Sequence, residues 1–148
     1  MAEKSMKGAQ PTGKKSILFL CIGNSCRSQM AEAIARHYLK DLDVVASAGS
    51  APSPVRENAL HVLKEAGIST VGLYSKHVDV WRDREWDFVV TLCADGQACP
   101  IPPRHGKLIH APMPDPVGTV GSEEKVMNAF RDVRDQIKDF ILSREFER

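Results

Sequence analysis

A chain of 148 residues is long enough to bury one hydrophobic core and has the size of one domain. Hydrophobic residues make up 43% and the formal net charge is +1, which excludes a disordered chain and a global basic field that would gather nucleic acid. No apolar run has the length of a membrane span, and the polar opening MAEKSMKGAQPTGKK lacks the apolar stretch of a signal peptide.

Residues 1–15 read as a flexible N-terminal arm and residues 16–148 as one domain. SILFL (16–20) is short and continuously apolar, as expected of a strand buried on both faces. From Ser28 to Lys40, Met30, Ala31, Ile34, Ala35, Tyr38 and Leu39 recur at helical spacing. DVVAS (43–47) predicts a second strand, followed by a loop marked by Gly49, Pro52 and Pro54. A second helix fits Val55 to Ala66, with Gly67 where a C-cap belongs. WDFVVTL (86–92) and KLIHA (107–111) predict two more strands. Ser122 caps a last helix, with Glu123 and Glu124 in its first turn and Val126, Phe130, Val133, Ile137 and Ile141 on its core stripe.

Four short apolar strands alternating with helices imply an α/β fold: three layers, a four-stranded parallel sheet with helices on both faces. Ligands bind such sheets beyond the carboxyl ends of the strands. Cys21 closes the first strand, Cys93 closes the third, and Pro114-Asp115-Pro116 follows the fourth, so all three belong to one sheet edge.

Cys21 and Arg27 stand as C-x5-R in CIGNSCRS. The loop Ile22, Gly23, Asn24, Ser25, Cys26, Arg27, Ser28 can curl so that backbone N–H groups point at a tetrahedral anion. Gly23 and Asn24 tolerate the left-handed backbone a tight curl needs. The helix start adds free N–H groups and the positive end of its dipole. Arg27 can hold two anion oxygens at once, and the positive surroundings favour the Cys21 thiolate, the reactive form. Ser28 is placed to donate a hydrogen bond to that sulfur.

This loop, with SAG (47–49) and the Asp-Pro at 115–116, resembles the low-molecular-weight tyrosine phosphatase fold along nearly the whole chain after the arm. The resemblance implies that Asp115 is a general acid that protonates a leaving oxygen. TLCADGQACP (91–100) narrows it: a loop cysteine, a second cysteine after TLC and a third before a proline resemble the thioredoxin-coupled arsenate reductases. That family implies a relay. Cys21 attacks arsenate, Cys93 attacks Cys21 and arsenite leaves, and Cys99 draws the disulfide outward to Cys93–Cys99, where thioredoxin reduces it. The reading expects no bound cofactor and no metal, arsenate as substrate with phosphate or sulfate as analogues, and a monomer with no nucleic-acid or membrane partner. Without an export signal, the cysteines point to the cytoplasm. Because arsenate and phosphate are both tetrahedral, the loop itself does not discriminate between them, and weak phosphate-monoester hydrolysis is expected alongside.

The nearest rival is a tyrosine phosphatase using Cys21, Arg27 and Asp115, with Cys93 and Cys99 as bystanders. Val117 stands where that family carries an aromatic wall, which weakens this rival. A zinc module built on Cys21/Cys26 and Cys93/Cys99 is remote, because five residues separate the second pair. Cys26 reads as structural, and His105 and His110 as solvated or core-satisfied. Some family members bind potassium beside the loop. Asn24, Glu32 and Ser47 match those ligands, but Lys76 occupies the remaining acidic position and would repel a cation. Pro114 replaces a second acid of relatives, and Ala111 an aromatic.

Overall fold

The structure, a computed structural model, describes residues 15–148; the expected N-terminal arm, Lys15 apart, lies outside the described residues. Four strands form one sheet: β1 (Ser16–Cys21), β2 (Val44–Gly49), β3 (Trp86–Thr91) and β4 (His105–His110). Their order is β2-β1-β3-β4 and every neighbouring pair is parallel. The α-helices are α1 (Arg27–Tyr38), α2 (Glu57–Glu65) and α3 (Glu123–Ser143).

The four-stranded parallel sheet is as expected, but its two covers are unequal. On one face Ile17, Phe19, Val45, Phe88 and Val90 share a core with Met30, Ile34, Val62, Leu63, Phe130, Val133, Ile137 and Ile141, so all three α-helices contribute to the same side. On the other, Leu18, Leu20, Ala46, Ala48 and Val89 pack with Val78, Trp81 and Trp86. The expected second helical layer is a 3-10 turn, Val78–Trp81, whose Trp81 meets Trp86 edge-on with ring centroids 5.4 Å apart. The small Ala46 and Ala48 explain how so thin a cover suffices: an aromatic pair fills the space a helix would take.

β1 and β4 show two fates of an apolar run. All six residues of β1 are buried, as a central parallel strand requires. β4 lies at the sheet edge and alternates between half-buried and exposed residues, with Leu108 48% exposed. The edge position is a tertiary fact that the short run KLIHA did not encode.

Helix ends shift by one or two residues from the periodicity, each for a local reason. α2 starts at Glu57 rather than Val55 because Arg56 is extended and its N–H bonds Ser25 O at 2.8 Å, which ties it to the loop instead of the helix. Gly67, with φ +77°, ends α2 as read, and Ile68 N closes back on Leu63 O at 3.0 Å. α3 opens as read, with Ser122 Oγ accepting from Lys125 N at 3.1 Å. On its core stripe Phe130, Val133, Ile137 and Ile141 are buried, whereas Val126 is half-buried. α1 departs most from an amphipathic pattern. From Arg27 to Ala35 it is buried on every side, and the polar Ser28, Gln29 and Glu32 are inside. Among the described residues, no helix is long and apolar enough to cross a membrane.

Register brings the chemistry together. Leu20 pairs with Thr91, and Leu92 N donates to Leu20 O at 2.8 Å. Cys21 and Cys93 therefore leave adjacent strands at the same carboxyl edge. Gly49, at that end of β2, is pressed against the loop: a Cβ there would stand 2.4 Å from Ile22 O and 2.9 Å from Asn24 N. Gly49→Ala is expected to displace the loop and cost about 1–3 kcal/mol, as overpacking does. Urea unfolding together with phosphate titration checks this; unchanged phosphate binding at unchanged stability would contradict the close fit.

Candidate active site

The loop between β1 and α1 is built around one carboxamide. Asn24 is fully buried with φ +46°, the left-handed backbone expected for the curl; Gly23, read as sharing that role, is not in this conformation. Asn24 Nδ2 donates to Ser28 Oγ at 2.7 Å and to Ser47 Oγ at 2.9 Å. Its Oδ1 accepts from Gln29 Nε2 at 3.0 Å and from Lys76 N at 2.9 Å. Every donor and acceptor of this side chain is used, so its orientation is fixed.

That saturation sets the direction of the neighbouring hydrogen bonds. Ser47 accepts from Asn24 and donates to Glu32 Oε1 at 2.6 Å. Ser28 also accepts from Asn24, which leaves its own O–H for Cys21 Sγ, 2.8 Å away. The hydroxyl is thus aimed at the sulfur that the C-x5-R spacing singles out.

Outside the curl, Ala51 N, Ser53 N and Arg56 N take the carbonyls of Ile22, Gly23 and Ser25 at 2.9, 2.9 and 2.8 Å. A curl whose carbonyls are used on its outer side can offer its N–H groups to an anion within. Cys26, the N-cap of α1, makes no side-chain cap bond, and the first turn holds no acid. The helix start thus keeps its free donors for a ligand.

Arg27 is 4% exposed and held by the far half of the chain. Its Nη1 donates to Leu92 O at 3.4 Å, Met113 O at 3.3 Å and Gln97 Oε1 at 3.0 Å. Its Nη2 lies 3.6 Å from Asp115 Oδ2. Asp115 caps the 3-10 turn Pro116–Gly118, with Oδ1 accepting from Val117 N at 3.1 Å. Its side chain remains 39% exposed, so the carboxyl can meet a bound molecule.

Together Cys21, Ile22, Gly23, Ser25, Cys26, Arg27 and Asp115 line a cavity of about 240 Å³, joined by Arg56, Gln97 and Val117. Arg56 and Gln97 were missed in the sequence. Each is remote from the C-x5-R motif, and the only signal for either is its place beside a loop that folds onto it.

Cys93 and Cys99 form a disulfide with Cα atoms 5.9 Å apart, while Cys21 and Cys26 are free. Cys93 is completely buried and Cys99 half-buried. Burial, then the neighbouring Cys21 and Asp115, push the Cys26 thiol far above its ordinary range. It stays protonated at neutral pH beside Cys21.

The second network beyond Asn24 answers the potassium question. Glu32, 1% exposed, meets Arg36 Nη2 at 2.6 Å and Lys76 Nζ at 3.7 Å. Lys76 Nζ also donates to Tyr74 O at 2.8 Å, and burial lowers this lysine below its usual range. With one ammonium and one guanidinium already on the carboxylate, the residues present do not fit a potassium ion. Nor do Cys93 and Cys99, joined to each other, offer a thiolate pair to zinc; among the described residues no group of three His, Cys, Asp or Glu is placed to hold a metal. His105 Nδ1 meets Pro103 O at 2.8 Å and His110 Nδ1 meets Thr91 Oγ1 at 2.7 Å, both outside the cavity.

Comparison with known proteins matches this geometry. The family model for low molecular weight phosphotyrosine protein phosphatase matches residues 16–142. An arsenate reductase of Shouchella clausii (strain KSM-K16) is 43% identical over 127 residues, covering 84% of this chain and 90% of that one. Among solved structures, an arsenate reductase in the phosphate binding state superimposes with TM-score 0.73 at 30% identity, covering 87% of this chain and 95% of that one. A thioredoxin-dependent arsenate reductase of Corynebacterium glutamicum gives 0.61 at 26% identity, covering 93% of this chain and 65% of that one. On the family model and the 43% relative together, the chain belongs to the low molecular weight phosphotyrosine protein phosphatase family.

Proposed function

We propose that this chain reduces arsenate to arsenite by passing a disulfide from Cys21 through Cys93 to Cys99. The observation that carries the reading is the Cys93–Cys99 disulfide at the sheet edge that also bears the Cys21 loop. A hydrolase has no use for that pair, whereas a reductase needs two electrons from somewhere. The arsenate reductase relatives support the same substrate, and the thioredoxin-dependent one supports a thioredoxin-type dithiol as electron donor.

The Cys21 thiolate attacks arsenic held by the loop and Arg27, and one oxygen leaves as water with a proton from Asp115. The Cys93 thiolate then attacks Cys21 Sγ. A sulfur–sulfur bond forms, the sulfur–arsenic pair of electrons stays on arsenic, and arsenite departs as As(III). Cys99 attacks Cys93 Sγ and frees the Cys21 thiolate. The external dithiol opens Cys93–Cys99 and is itself oxidised. Cys26, kept protonated, is a poor competitor at each exchange. A thiol-regenerated enzyme suits the reducing cytoplasm.

Phosphate monoester hydrolysis is a second activity of the same pocket, favoured by Cys21, Arg27 and Asp115 lining one cavity. The two reactions separate in one experiment. In arsenate-dependent NADPH consumption with thioredoxin and its reductase, Cys21→Ser and Cys93→Ser are expected to be silent. Cys99→Ser is expected to stall after one turnover yet keep aryl-phosphate hydrolysis. No consumption by the native chain with any thiol donor would overturn the reductase reading.

Two further outcomes follow from the geometry. Asp115→Asn is expected to lower kcat for arsenate by about 10²–10⁴, the range of a lost general acid. Ser28→Ala removes a hydroxyl bond to a charged sulfur, and alkylation of Cys21 at pH 7 is expected to slow by about tenfold. Unchanged alkylation would show that Ser28 does not act on the sulfur.

A further inference from the structure

The segment between Cys93 and Cys99 carries more than its two sulfurs. Gln97 N donates to Ala94 O at 3.0 Å, and Gln97 Oε1 accepts from Ala94 N at 2.7 Å, so the segment folds on itself as a tight turn. Gly96, with φ +86°, supplies the backbone that this turn demands. The same Oε1 accepts from Arg27 Nη1 at 3.0 Å, and Gln97 lines the cavity with Cys21 and Asp115. In the disulfide form, therefore, an amide oxygen occupies one arm of the guanidinium that should grip the anion. The other partners of Nη1, the carbonyls of Leu92 and Met113, belong to the main chain beside the strand ends.

We propose that Gln97 is a positioning residue that couples the redox state of Cys93 and Cys99 to oxyanion affinity. With the disulfide closed, its carboxamide holds Arg27 and crowds the pocket mouth. With the disulfide open, the turn is released and the Nη1 hydrogen taken by Gln97 is free for the anion, while the carbonyls of Leu92 and Met113 still anchor the guanidinium. The proposal rests on the reductase reading, in which Cys93 must leave Cys99 to reach Cys21. Gln97 lies inside the ring that the disulfide closes. It cannot keep its place when that ring opens and Cys93 turns toward the loop. Opening takes two electrons and two protons from an external dithiol: the Cys93–Cys99 bond breaks, both cysteines become thiols, and the dithiol leaves as its own disulfide.

The coupling has a chemical purpose. An enzyme with Cys93 already oxidised has no electrons to give. If arsenate entered, the Cys21 thiolate would form an adduct that nothing could resolve. Weak binding in the disulfide form keeps Cys21 free until the dithiol is restored.

Inorganic phosphate is the probe, titrated calorimetrically into the full chain in its disulfide and dithiol forms, with free thiols counted by alkylation and mass. Phosphate is expected to bind about tenfold more weakly to the disulfide form, the scale of one charge-assisted hydrogen bond diverted from the ligand. Gln97→Met keeps the length but removes the acceptor, and is expected to bring the ratio to within about twofold. Gln97→Ala serves the same purpose should Gln97→Met fail to close the disulfide. Gln97→Glu, which restores an acceptor, is expected to keep the ratio at or above the native value. A merely structural role for Gln97 would move both forms alike and leave the ratio unchanged. Equal phosphate affinity in the two native forms, or a ratio preserved in Gln97→Met and Gln97→Ala, overturns the proposal. Phosphate titration needs no turnover, so failure of the reductase reading appears separately, as absent arsenate-dependent NADPH consumption.

Discussion

The site depends on the carboxamide of Asn24, held in a left-handed backbone that most residues avoid. Its two donors go to Ser28 and Ser47, and its oxygen receives Gln29 and the main chain at Lys76. Four segments are thereby locked to one side chain: the loop, α1, β2 and the strand-like stretch before Val78. Every polar atom of the Asn24 carboxamide is paired, whereas Gln29 Oε1 beside it is buried without a partner, which costs about 1–3 kcal/mol. The full pairing of Asn24 also has a chemical result. Because Asn24 supplies the donors, the serine hydroxyls are left to point at the Cys21 sulfur and the Glu32 carboxylate.

Charge is arranged in two separate compartments. Below the loop, the Glu32 carboxylate is balanced by Arg36 and Lys76, so the inner network carries no net negative charge. At the mouth, Arg27 faces Asp115 across 3.6 Å and Arg56 stands on the rim. An arriving oxyanion meets two guanidinium groups, only one of which is fixed by carbonyls. The buried Lys76 ammonium beside Glu32 makes the inner compartment self-sufficient, with its positive charge covalently attached.

Much of this was legible in the sequence, because much of it is local. C-x5-R marks the loop because it stands between an apolar run and a helical pattern, and TLC with CP marks the second sulfur pair through the family resemblance. The carboxyl-edge rule for parallel strands brings Cys21, Cys93 and Asp115 together without coordinates. What was not legible is tertiary. Nothing in KLIHA says that it lies at an edge, and nothing in the helical pattern of α1 says that Gln29 and Glu32 are inside. The thin cover over Ala46 and Ala48 depends on two tryptophans meeting from different segments. Arg56 and Gln97 reach the cavity only because the chain folds back on its own loop, and no spacing rule links either to Cys21.

The anchoring of Arg27 bears on how the molecule comes into being. Its guanidinium is gripped by the carbonyls of Leu92 and Met113, both encoded in the later part of the chain, although Arg27 itself emerges early. A nascent polypeptide that has released only its first two strands already displays the whole CIGNSCRS motif, yet owns none of these clamps. The Arg27 guanidinium is therefore clamped only after Leu92 and Met113 have been made, at the same late stage of synthesis that delivers Cys93 and Cys99.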